Sequence, residues 1–199
     1  MTPQDARFLD LLAKRRPGMV TDVRAILGAR YGRSVRLARP RGSVSSIFSF
    51  HHSATPERVG VEGALASTWD YHIRVEEWFT GGYANVVTQD GHIYVCALPF
   101  SEMTYNAGAR WNPITTATCA VGYFHAPNNN VPTAELLQSL YAIGISLDDA
   151  SGVAGGRPWR PHRALKQTAC PGDILTPHIW RMTGVDFAAA EKRPEVYTA

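Results

Sequence analysis

Hydrophobic positions along the chain alternate several times between a helical period and a strand period. Helical spacing covers residues 3–16, 21–29, 69–79 and 133–147, and strand-like runs cover 35–38, 44–51, 83–87, 92–97 and 118–125. Between two of these runs, Asp90-Gly91 is a strong hairpin signal. This order of elements predicts an α/β fold: one domain with a central mixed β-sheet flanked by helices, preceded by a short basic helical N-terminal extension.

Positive charge is concentrated at the start of the chain. Residues 1–41 contain ten Lys and Arg against three Asp and Glu, whereas the whole chain has a net charge of +3. We therefore divide the chain into a basic N-terminal extension (1–43), a main domain (44–180) and a C-terminal tail (181–199). The extension has two open interpretations: electrostatic contact with the anionic cell envelope, and a solvated face on a small helical cap. It has few aromatic residues for base stacking, so we expect no nucleic-acid partner.

Composition is that of an ordinary globular protein, with 45% hydrophobic and 19% charged residues in 199. No apolar run approaches the ~20 residues of a membrane-spanning helix, and the first residues lack the basic start and apolar run of a secretory signal. We therefore expect a monomer made in the host cytoplasm without a signal peptide. Three Cys with no close pair argue against a disulfide framework, and Cys96 and Cys119 are expected to be buried thiols.

Two His and one Cys form the candidate chemical site. His51 ends the core strand over 44–51, and seven residues separate His162 from Cys170. Structural zinc sites usually have four protein ligands, whereas a catalytic zinc has three and keeps one position for water. Two imidazoles and one thiolate therefore predict a Zn²⁺-dependent hydrolase. His52 is expected to point to the opposite face of the strand, as a packing residue or a partner of a ligand.

Ordered sequence blocks between residues 47 and 176 carry a resemblance to a known family. The blocks are 47–54, 71–72, 82–87, 90–94, 106–109, 120–123 and 162–173. The chain resembles the type 2 N-acetylmuramoyl-L-alanine amidases and the related peptidoglycan recognition proteins, which include many phage endolysins. The resemblance implies a peptidoglycan hydrolase that cuts the amide bond between N-acetylmuramic acid and the L-alanine of the stem peptide. An endolysin would act on the wall after release and lyse the host cell.

The resemblance also implies roles for individual residues. It implies that His51, His162 and Cys170 bind zinc. Tyr83 matches the position of a Tyr near the metal, whose phenol would orient the attacking water or stabilise the oxyanion. Thr168 stands two residues before Cys170, where relatives carry Lys or Thr, and its hydroxyl is the expected donor to the developing oxyanion.

Loops near the expected metal supply the candidate substrate-binding residues. The segment 151–161 leads directly into His162, so Trp159 and Arg160 are expected to line a substrate groove. Asn106 lies in a polar and aromatic loop suited to sugar and peptide contacts. Lys166 is off the matching position and is expected to be solvated.

Three other functions stay open. Family members become non-catalytic peptidoglycan-binding modules when a zinc ligand is lost, but all three ligands are present here. A cytoplasmic muropeptide-recycling amidase is the second alternative; Phe124 stands roughly where those enzymes carry Glu, which favours an endolysin. A nucleic-acid-associated regulatory phage protein, based on the basic extension, is the third.

Overall fold

The computed structural model describes residues 1–40, 45–153 and 158–183. The helices are α1 (Pro3–Arg15), α2 (Arg24–Tyr31), α3 (Gly60–Ala66), α4 (Ala134–Ser151) and α5 (Thr176–Met182). The strands are β1 (Val20–Asp22), β2 (Leu37–Ala38), β3 (Ile47–His52), β4 (Asn85–Val87), β5 (Ile93–Val95), β6 (Glu102–Met103), β7 (Thr115–Ala120) and β8 (Trp159–Pro161). The expected boundary at residues 43 and 44, and the tail from residue 184 onward, lie outside the described residues.

Six strands form the central sheet in the order β1-β5-β4-β7-β3-β8. Neighbouring strands are parallel except for the β4–β5 hairpin, which is antiparallel. A separate antiparallel pair joins β2 to β6. The predicted mixed sheet with flanking helices is therefore confirmed, and β3 lies inside it between β7 and β8.

One face of the sheet is covered by α1 and α4. Phe8 and Leu12 of α1 join one buried cluster with Phe48 and Phe50 of β3 and with Leu140 of α4. Residues 48 and 50 share this face because alternate residues of a strand point to the same side. Ser49 and His51 therefore point to the other face.

The N-terminal segment is packed onto the sheet. Thr2 and Asp5 form a capping box at the start of α1, and the backbone N–H of Phe100 donates to the Asp5 carboxylate over 2.9 Å. Strand β1 then extends the sheet beside β5. Basic side chains of this segment make ion pairs with carboxylates; they are Lys14, Arg15, Arg24, Arg30 and Arg36. These pairs lower the positive charge that the segment presents to an anionic surface.

A second buried cluster lies on the face that carries His51. Its members come from α2, α3 and the sheet, and include Val23, Leu27, Leu65, Trp69, Val86, Tyr94 and Cys96. Both faces of the sheet are thus covered, as a largely parallel sheet requires. No helix within the described residues has the length and hydrophobicity needed to cross a membrane.

Two predicted helices differ from the structure. Residues 20–22 are extended because β1 pairs with β5, so α2 begins only at Arg24. In place of a helix over 69–79, a π-helical turn covers Tyr71–Val75. Trp69 packs against Gly81, where a Cβ would lie 2.3 Å from the indole ring. Because Trp69 contacts Gly81, the chain turns back between residues 69 and 81. A straight helix over 69–79 would keep these two residues apart.

Candidate metal centre and adjoining cleft

Three predicted ligands converge although they come from distant parts of the chain. His51 lies near the end of β3, and His162 begins a 3-10 turn directly after β8, which pairs with β3. The ligand atoms of His51, His162 and Cys170 all lie within 4.8 Å of one another. His51 Nδ1 is 3.7 Å from Cys170 Sγ, close to the about 3.6 Å that tetrahedral zinc with usual bond lengths imposes between a nitrogen and a sulfur ligand.

His162 has the features of a metal ligand without its metal. Both of its ring nitrogens are buried and have no hydrogen-bond partner among the described residues. A buried polar atom without a partner costs free energy, and a bound cation would give one nitrogen a partner. Burial, together with the charge of Lys166, lowers the pKa of His162 to about 4. The imidazole is therefore neutral at pH 7, the form that binds metals.

Cys170 is held by two backbone hydrogen bonds. Its Sγ accepts from the backbone N–H of His52 over 3.4 Å, and its own N–H donates to Thr168 Oγ1 over 3.2 Å. Burial raises the pKa of the Cys170 thiol to about 12, although the His52 N–H favours the thiolate. Thr168 thus shapes the turn that presents the sulfur, and its role as a donor to the oxyanion stays a prediction.

Tyr83 lies beside the candidate metal centre. Its ring centroid is 5.2 Å from that of His51 and 5.2 Å from that of His72. Burial raises the pKa of the half-buried phenol well above its usual value, and a hydrogen bond with Cys119 acts in the same direction. The phenol therefore stays protonated at neutral pH and is able to donate a hydrogen bond.

Cys119 is buried, as expected, but it also contacts Tyr83. The sequence did not suggest this contact because it depends on the pairing of β4 with β7, in which Asn85 stands opposite Thr118 and the residue before it, Ala84, donates to the Ala117 carbonyl. Strand register is invisible until the sheet order is known. Cys119 is therefore a residue of the site that sequence reasoning missed.

A cleft of about 500 Å³ adjoins the metal centre. Its walls are formed by Trp78, Met103, Tyr105, Asn106, Gly108, Ala109, Asn112, Pro113 and Lys166. Asn106, the predicted substrate-binding residue, lines this cleft, and its Oδ1 accepts a hydrogen bond from Ser49 Oγ. Lys166 is exposed, as expected, but it also lines the cleft and its charge acts on His162. A mixture of aromatic, amide and cationic groups suits a ligand that carries sugar and peptide parts.

The two predicted groove residues on β8 point to opposite faces of the sheet. Trp159 is 6% exposed and packs in the core against Phe50 and Tyr141. Its position differs from the expected one because it shares the face of Phe48, its register partner. Arg160 pairs in register with Ser49, on the metal side, and its guanidinium lies over the Trp180 ring at 5.6 Å.

His52 and Phe124 lie outside the candidate metal group. His52 Nδ1 accepts from the backbone N–H of Phe124 over 3.3 Å, and burial lowers the pKa of His52 to about 4. Phe124 is fully buried in the core. These two residues therefore support the site through packing, and position 124 offers no carboxylate for proton transfer.

The sequence is similar to that of a protein named for the recognition of peptidoglycan. Peptidoglycan recognition protein 1 of Bos taurus is 31% identical over 109 residues, which cover 53% of each chain. The chain thus spans about half the length of the curated relatives it matches. No family model matches it.

Two solved structures of endolysins share the fold. The Ph2119 endolysin of a Thermus scotoductus bacteriophage superposes with a TM-score of 0.63 at 23% identity, covering 84% of this chain and 99% of the endolysin. An endolysin from Clostridium intestinale, named as an N-acetylmuramoyl-L-alanine amidase, gives a TM-score of 0.55 at 20% identity, covering 71% and 84%. The chain therefore has the type 2 amidase fold that phage endolysins share with peptidoglycan recognition proteins.

Proposed function

We propose that this protein is a zinc-dependent N-acetylmuramoyl-L-alanine amidase, and that it acts as a phage or prophage endolysin. The observation that carries the proposal is the convergence of His51, His162 and Cys170, with both buried ring nitrogens of His162 left without a partner among the described residues. A set of three N and S ligands is the pattern of catalytic zinc sites. The similar endolysins and the cattle recognition protein supply the substrate class, which is peptidoglycan.

The three ligands would hold zinc with their usual chemistry. A bound zinc ion supplies a Lewis acid for amide hydrolysis and lowers the pKa of water. His51 and His162 are neutral at pH 7, because burial lowers the pKa of each imidazole. Cys170 would bind as the thiolate, which the backbone N–H of His52 stabilises by donating to Sγ.

Neighbouring side chains would stabilise the reacting amide. The protonated phenol of Tyr83 would donate to the oxygen on which negative charge develops, exchanging its contact with Cys119 for one with the substrate. The hydroxyl oxygen of Thr168 accepts a hydrogen bond from the Cys170 N–H. The hydroxyl proton is not used in that bond and would be donated to the substrate. Asn106 and Lys166 would bind the muramyl peptide along the cleft, and Arg160, on the metal side of β8, would contact it there.

The decisive experiment is mass spectrometry of purified muropeptides after digestion. We expect release of stem peptides that begin with L-alanine, loss of this release with a chelator, and recovery when zinc is added back. Cys170→Ser serves as the matched control and should release none. Products cut within the glycan or within the stem peptide, or cleavage that is insensitive to chelation, would contradict the proposal.

The similarity to a peptidoglycan recognition protein favours one second candidate, a module that binds peptidoglycan without cutting it. Sedimentation with insoluble peptidoglycan separates the two functions. A protein that sediments with the polymer while leaving the muropeptide masses unchanged, with zinc present, is a binding module.

A further inference from the structure

A chain of hydrogen bonds connects the cleft to the metal ligand His51. Ser49 Oγ lies 3.1 Å from His51 Nε2 and 3.3 Å from Asn106 Oδ1. Ser49 and His51 are each 1% exposed, so water does not compete for these contacts. The other ring nitrogen of His51, Nδ1, is the one that faces Cys170 Sγ.

The surroundings of Asn106 fix the direction of this chain. Its Nδ2 donates to the backbone carbonyl of Thr104 over 3.1 Å, so its Oδ1 is the atom that faces Ser49. If the Asn106 amide were flipped, its Oδ1 would face the carbonyl oxygen of Thr104, and no hydrogen bond could form there. Two backbone N–H groups, of Asn106 and Ala107, donate to the side chain of Asn112 and hold the loop in place.

The proton positions follow from the chemistry of each group. Asn106 Oδ1 only accepts, so the contact with Ser49 is a hydrogen bond only when the Ser49 hydroxyl donates its single proton there. Ser49 Oγ must then accept from His51, which places the proton of His51 on Nε2. The lone pair of Nδ1 is thereby directed towards Cys170 and the metal position. The opposite tautomer would point an N–H at the metal position and would leave Ser49 and Asn106 oxygens facing each other.

We propose that Ser49 and Asn106 are positioning residues that hold His51 in the Nε2–H tautomer and so prepare Nδ1 to bind zinc. The inference rests on the proposed function and adds to it two residues that bind neither zinc nor the scissile amide. Partners that fix the tautomer of a metal-ligating His typically contribute about 10- to 100-fold to metal affinity or activity. Asn106 thus has a role besides lining the cleft.

The first test is the tautomer of His51 in the full-length, metal-free protein. Two-bond ¹H–¹⁵N NMR of ¹⁵N-labelled imidazoles distinguishes Nε2–H from Nδ1–H, and the His51 signal is assigned by its absence in His51→Asn. We expect Nε2–H in the wild-type protein and a mixture of tautomers in Ser49→Ala. An Nδ1–H tautomer in the wild type overturns the proposal, and that outcome does not require the Ser49→Ala variant to fold well.

The second test is zinc affinity, measured by competition with a chromophoric chelator. Ser49→Ala should bind zinc about 10- to 100-fold more weakly, Asn106→Ala should weaken binding less, and Ser49→Thr, which keeps the hydroxyl, should stay within a few-fold of wild type. Ser139→Ala is the matched control, because it removes a fully buried Ser that bonds to the Gly91 carbonyl far from the site. Equal affinities for Ser49→Ala and Ser139→Ala would overturn the proposal.

The two tests also separate this inference from the proposed function. A wild-type protein with the Nε2–H tautomer that binds zinc but cuts no muropeptide supports the positioning role and contradicts the amidase. A protein that cuts muropeptides in a zinc-dependent way, with His51 in the Nδ1–H form before zinc is added, gives the opposite result.

Discussion

His51 Nδ1 and Cys170 Sγ lie 3.7 Å apart, although 119 positions separate the two residues in the chain. Their approach depends on the pairing of β3 with β8, because β8 leads directly into the turn that carries His162 and then Cys170. The backbone of His52 adds a direct link by donating to Cys170 Sγ. The candidate metal centre is therefore held between an interior strand of the sheet, β3, and the edge strand β8.

Replacing Cys170 by Ser should abolish zinc-dependent cleavage while the fold is retained. The Ser hydroxyl still accepts from the His52 N–H, but it is a poor zinc ligand at neutral pH. A metal contributes several kcal/mol to stabilising the transition state, so its loss should lower the rate by about 10³-fold or more. Zinc content and muropeptide release are the measurements. Cys96→Ala removes a buried thiol away from the ligands and should keep both.

Replacing Tyr83 by Phe should lower kcat by about 10²- to 10³-fold and leave KM nearly unchanged, because one donor to the oxyanion is lost while the ring stays packed. Steady-state hydrolysis of a soluble muramyl peptide by zinc-loaded protein measures both constants. Tyr94→Phe changes a buried Tyr of the same cluster and should keep normal turnover. Turnover of Tyr83→Phe within a few-fold of wild type would leave Thr168 as the oxyanion donor.

Replacing Lys166 by Gln should raise KM several-fold with a smaller effect on kcat. The Lys166 ammonium lines the cleft, and a muramyl peptide ends in a carboxylate that it can attract. The difference between wild type and variant should shrink at high salt because exposed charges are screened. Lys14→Gln alters a Lys that is 70% exposed on α1 and should leave KM unchanged. An equal KM for Lys166→Gln at low salt would remove Lys166 from the binding site.

The candidate metal ligands could be predicted because each belongs to a local sequence block, whereas their hydrogen-bond partners could not. Ser49 bonds to Asn106 in a distant loop, and Cys119 bonds to Tyr83 only because the sheet order places β4 beside β7. The same sheet order decides that Arg160 shares the metal side and Trp159 the core.

Local spacing of apolar residues was also an incomplete guide to the first predicted helix of the main domain, over residues 69–79. Residues 71 and 75 have helical spacing, but Tyr71 is 51% and Val75 64% exposed. The packing of Trp69 against Gly81 decides the path of this segment. Long-range contacts therefore override the periodicity there.

Replacing Asp70 by Asn should destabilise the protein by about 1–2 kcal/mol at pH 7. Asp70 accepts from Arg30 Nε over 3.0 Å and Nη2 over 2.6 Å, and these bonds are the main reason that the pKa of Asp70 is lowered. A lowered pKa in the folded state gives stability that is present above the unfolded value of about 3.9 and is lost as pH falls through the folded value. Urea unfolding at pH 7 and near pH 2.5 should show the gap between wild type and variant closing. A constant gap would mean that the charge of Asp70 contributes nothing.

Replacing Gly144 by Ala should destabilise the protein even though Ala favours helices. A Cβ at this position of α4 would lie 2.3 Å from the Trp159 ring, so the indole or the helix must shift. Such overpacking typically costs about 1–3 kcal/mol, which exceeds the gain of up to about 1 kcal/mol from helix propensity. Gly28→Ala in α2 is the matched control, because no atom lies within 4 Å of its added Cβ, and it should stabilise by about 0.5–1 kcal/mol. Urea unfolding measures both. Zinc affinity should fall in Gly144→Ala but not in Gly28→Ala, since Trp159 stands three residues before His162 on the strand that positions it. If both substitutions stabilise the protein, the Trp159 ring moves aside without loss of packing energy.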